Sequence, residues 1–60
     1  MANDTDMWND IEEFEKNGEQ DKSNDLLEVF QARFGDGDIE RANELRKRYI
    51  KKWGWIDNYW

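Results

Sequence analysis

The chain is 60 residues long, 37% apolar and 40% charged, with a net charge of −6 and no His or Cys. That length holds one domain with a small core, and the missing residues remove the usual zinc, haem and iron–sulfur ligands, the disulfide staple, the His general base and the Cys nucleophile. Four Trp, two Tyr and three Phe argue against a disordered chain, because large rings drive collapse.

The charge is unevenly placed. Residues 1–40 carry thirteen acids and three bases, and residues 41–60 carry two acids and six bases. This polarity implies two differently charged surfaces. Proline is absent, so the four glycines are the main punctuation. They divide the chain into three helices and a tail.

The spacing predicts a first helix over 6–17, capped by Asp4 or Thr5, with Met7, Trp8, Ile11 and Phe14 forming one apolar stripe. Asp6, Asp10, Glu12, Glu13 and Glu15 fill much of its remaining surface. Acids early in a helix complement its dipole, and solvated carboxylates are the ordinary reading. The functional reading is a surface that imitates the phosphates of a nucleic acid, which carry one charge per about 1.7 Å of duplex. The polar stretch Gly18–Lys22 then suits a tight helical hairpin.

A second helix is predicted over 24–34, with Ser23 as its cap and Leu26, Leu27, Val29, Phe30 and Phe34 on one face. Gly35-Asp36-Gly37-Asp38 reads as a turn, with a glycine in the left-handed conformation closing the helix. A calcium loop starting at Asp36 fails, since Arg41 stands where its Gly belongs and Lys47 where its Glu belongs.

Asp38 is expected to cap a third helix over 39–53, whose apolar face is Ile39, Ala42, Leu45, Tyr49, Ile50 and Trp53. Lys47, Arg48, Lys51 and Lys52 gather away from that face, with Arg41 beside them. Cations near a helix C-terminus offset its negative end, and pairing with the acids of helix 1 would absorb them further. Arg33 and Arg46 fall inside apolar stripes, where their stems are expected to pack while their heads reach water. The tail, 54–60, holds Trp55, Ile56, Tyr59 and Trp60.

The expected architecture is an all-α, small three-helix bundle in a single domain spanning 1–60, with an aromatic C-terminal tail. No signal peptide is visible, and the expected setting is cytoplasmic, that of the host if the chain is viral. No enzyme activity, cofactor, metal or membrane span is expected.

The residues point to a protein-binding module that docks on a larger protein and modulates or inhibits it. The size, acidity and Trp content suit a viral or mobile-element accessory protein. Arg46, Lys47, Arg48, Lys51 and Lys52 would steer an acidic partner, and Trp55, Tyr59 and Trp60 would anchor it. In the alternative acidic surface, Asp6, Asp10, Glu12, Glu13 and Glu15 make the contact. A second function class is a structural component that forms homo-oligomers or part of a larger particle. A third is weak single-stranded nucleic-acid binding through helix 3, which the net negative charge disfavours.

Overall fold

Three apolar stripes in a chain this short must be buried against one another in a single core. The computed structural model describes residues 4–54 as an all-α three-helix arrangement, with no strand among them. Its helices are α1 (Asp4–Lys16), α2 (Gln20–Phe30) and α3 (Ile39–Trp53), and a π-helical turn, Gln31–Gly35, extends α2. The tail residues 55–60 lie outside the described segment.

Helix α1 starts two residues before the spacing predicts. Asp4 and Thr5 are its first residues rather than its flanking caps. Met7 and Ile11 are buried and Phe14 packs at the core margin. Gly18 ends the helix at φ +81°, where its N–H donates to the Glu15 carbonyl at 3.1 Å and the Glu19 N–H donates to the Phe14 carbonyl at 2.8 Å. This paired reverse bonding satisfies two carbonyls of the last turn and turns the chain within three residues.

Helix α2 begins one turn earlier than expected, at Gln20, and Ser23 is not its cap. Ser23 is buried inside the helix, and its hydroxyl donates to the Ile11 carbonyl of α1 at 3.0 Å. Gln20, Asp21 and Lys22 carry no apolar signal, so periodicity could not place them. They are helical because the Gly18 turn delivers the chain in register with α1. Lys22 completes this end by setting its ammonium 4.5 Å from the Phe14 ring centre.

The end of α2 also departs from expectation. The helix widens over Gln31–Gly35, where the Asp36 N–H donates to the Gln31 carbonyl and the Asp38 N–H to the Ala32 carbonyl, both at 2.8 Å. Gly35 therefore sits within the turn, and Gly37, at φ +67°, is the left-handed residue. Asp38 caps α3 as predicted, its Oδ1 accepting from the Arg41 N–H at 3.0 Å. Gly54, at φ +100°, closes α3 with its N–H on the Ile50 carbonyl at 2.9 Å.

Helix α2 and its π turn form the spine on which α1 and α3 pack. Met7, Ile11, Leu26, Val29 and Tyr49 make the buried core, and Ala32 and Ala42 allow close approach beside it. Leu27, Phe30, Leu45, Ile50 and Trp53 line its margin. Three residues assigned to apolar faces instead meet water: Trp8 is 43% exposed, Phe34 37% and Ile39 51%. Phe34 lies in the π turn with its ring against Phe30, and Ile39 is the first residue of α3. Among the described residues no helix is long and apolar enough to cross a membrane.

Candidate functional site

The second half of α3 carries the basic ridge. Lys47, Arg48, Lys51 and Lys52 are all exposed, spaced so that 47 and 51, and 48 and 52, are neighbours one turn apart. Their like charges repel along the helix, so the ridge is not explained by its own internal pairing. Arg46 is half-buried and engaged within the protein, which separates it from the ridge.

The expected pairing of the ridge with α1 acids is not what anchors it. Lys52 instead meets Asp25 of α2, Nζ to Oδ2 at 3.3 Å. The same carboxylate oxygen accepts a 2.7 Å hydrogen bond from Trp53 Nε1–H. The Lys52 ammonium also lies 5.0 Å from the Trp53 ring centre. Among the described residues, Lys47, Arg48 and Lys51 form no ion pair.

Asp25 thus ties α2 to the last turn of α3. The Trp53 hydrogen bond is the largest influence on its carboxyl and holds it below the ordinary range. Partial burial opposes this, and Lys52 and Arg48 reinforce it. Beside this contact, Glu28, Leu45, Arg48 and Tyr49 complete a cleft of about 110 Å³ between the two helices. Burial pushes the Tyr49 phenol up to about 12, with Asp10, Glu19 and Asp25 adding to the shift. Tyr49 is protonated near neutrality and belongs to the buried core.

The other sequence-predicted surface lies along α1. Glu12, Glu13 and Glu15 are exposed on α1, as is Asp6, while Asp10 is half-buried. Asp6 and Asp10 are both engaged within the protein. Trp55, Tyr59 and Trp60, the proposed anchors, lie outside the described residues. Arg33 departs from expectation. Its Nη1 is buried rather than in water, and its guanidinium carbon stands 5.1 Å from the Phe34 ring centre.

Periodicity also passes over an aromatic run. Trp8 of α1 meets Phe30 of α2 with ring centres 5.5 Å apart and planes at 51°. Phe30 meets Phe34 at 5.3 Å and 49°. The 30/34 spacing is legible as an i, i+4 pair, but the junction with Trp8 depends on how α1 lies on α2. Compared with protein-family models, curated proteins and solved structures, the chain matches none of them.

Proposed function

We propose that this protein is a small binding module that docks on an acidic surface of a larger protein through the basic ridge of α3, and thereby modulates or inhibits it. The observation that carries the reading is the ridge itself. In a chain of net charge −6, Lys47, Arg48 and Lys51 remain exposed and form no salt bridge among the described residues, although Arg48 is near enough to influence Asp25. Charges held out in this way accelerate encounter with a partner of opposite sign and select against partners of like sign. The Asp25–Trp53 bond supports the reading by holding the ridge turn against α2.

The test is affinity capture from the source cell with the wild-type chain and with the triple variant Lys47→Glu, Arg48→Glu, Lys51→Glu. The variant is expected to lose the partner while retaining its helical circular dichroism, with a lowered melting temperature because acids near the end of α3 oppose its dipole and the change at Arg48 faces Asp25. Retention of the same partner at equal yield overturns the reading. Sedimentation of the pure protein separates the assembly alternative, since a concentration-dependent shift to larger species is expected only there.

A further inference from the structure

We infer that the face formed by Trp8, Phe30 and Phe34 is a second interface, and that its occupant is a basic amphipathic helix of a partner protein. The face is distinct from the α3 ridge. On α2, Asp25, which anchors the ridge, and Phe30 stand about 140° apart at 100° per residue.

The apolar part is a continuous run of three rings, with centres 5.5 and 5.3 Å apart. Trp8 is 43% exposed and Phe34 37%, so both ends of the run face solvent. Side chains three and four residues apart on a helix are separated by about 5–6 Å. A helix laid along the run therefore places successive apolar residues against successive rings.

The α1 side of the border is acidic, while on the α2 side the Arg33 guanidinium lies 5.1 Å from the Phe34 ring centre and is engaged within the protein. Asp4, Glu12 and Glu15 are exposed and fall within about 40° of Trp8 around α1, at 100° per residue. Asp4, in the first turn, complements the helix dipole. Glu15 does not, because it lies in the last turn, where a negative charge is unfavourable. It lies two turns from Trp8, about 10.5 Å along the helix, so Asp4 and Glu12, each one turn from the indole, are the nearer anions for a cation seated there.

A second copy of this chain is a poor occupant. Its one basic helix, α3, already uses Leu45, Tyr49, Ile50 and Trp53 in its own core. Nucleic acids and anionic membranes are repelled by the same acidic border. A separate partner helix, with Lys or Arg flanking an apolar stripe, satisfies both the spacing and the charge.

The probe is a short synthetic amphipathic helix of Lys and Leu with the leucines at helical spacing, labelled for fluorescence anisotropy. Its controls are a scrambled peptide of the same composition and a version with Glu in place of Lys. The full chain is expected to bind the amphipathic Lys peptide at least about tenfold more tightly than either control. Binding is expected to weaken as salt rises and to shift the Trp8 indole and the Phe30 and Phe34 resonances.

Glu12→Gln with Glu15→Gln, exposed changes that preserve the helix, are expected to weaken it several-fold. The Lys47→Glu, Arg48→Glu, Lys51→Glu variant is expected to bind as tightly as wild type or tighter. That variant separates the two interfaces, since loss of cellular capture with retained peptide binding supports both readings independently. Equal binding of the scrambled peptide, preference for the Glu peptide or for phosphatidylglycerol vesicles, or resonance shifts confined to α3 would overturn the inference.

Discussion

Trp53 donates its indole N–H to Asp25 across 28 residues of sequence, at 2.7 Å, and so fastens the end of α3 to the middle of α2. Lys52 reaches the same carboxylate oxygen at 3.3 Å. Replacing Trp53 with Phe keeps most of the packing and removes the donor. A hydrogen bond to a charged group contributes about 1.5–3 kcal/mol, and partial exposure of Asp25 lowers that figure. A loss of about 1 kcal/mol in urea unfolding is expected. An unchanged midpoint would mean that the indole is not held there in solution.

The two shifted groups make opposite predictions for pH. Asp25 binds its proton less tightly in the folded chain than at its ordinary value of 3.8. Its contribution to stability is therefore full above pH about 4 and is lost as pH falls through the lower folded value. Tyr49 binds its proton more tightly when folded, with a value of about 12 against 10.0. Its contribution is full below pH 10 and falls by about 2 kcal/mol as pH rises to 12. Thermal melts across both windows measure the slopes. Asp25→Asn should flatten the acid limb and Tyr49→Phe the alkaline one.

Ser23 distinguishes the observed packing from a helix cap. As a cap, Ser23→Asp would be tolerated, because aspartate caps as well as serine. Buried at 2% exposure against the Ile11 carbonyl, it would instead place a charge in the core. Ser23→Ala is expected to cost about 1 kcal/mol, and Ser23→Asp more than about 2 kcal/mol. Equal stability of the Asp variant and wild type would return α2 to a start at Asn24.

The helix ends give two further substitutions. Asp38→Ala removes the acceptor of the Arg41 N–H and is expected to cost about 1 kcal/mol. Gly18→Ala meets no atom within 4 Å, so its cost is that of a left-handed backbone alone, about 1–2 kcal/mol. Denaturation midpoints of the two single variants and the double variant should show additive losses, since the sites share no partner.

Much of the architecture is legible in the chain. Helix count, the turn glycines 18 and 54, the Asp38 cap and the core members Met7, Ile11, Leu26, Val29 and Tyr49 follow from period, capping chemistry and the need to bury apolar faces. The basic ridge is legible as well, because charge on a helix face is a local property. What periodicity misses is where a polar side chain serves a neighbouring helix. Ser23 resembles a cap and Asp25 a solvated acid until α1 and α3 are in place beside them.

The order of residues by itself determined three amphipathic helices, their main breaks and the opposite charges of the two ends, since each depends on contacts within a few residues. Only the tertiary arrangement decided that Asp25 receives Trp53, that Ser23 bonds α1, that α2 widens into a π turn, and that Trp8 and Phe34 remain in water. Each of those outcomes depends on the angle and register at which helices meet, and a core this small cannot cover every ring along its margin.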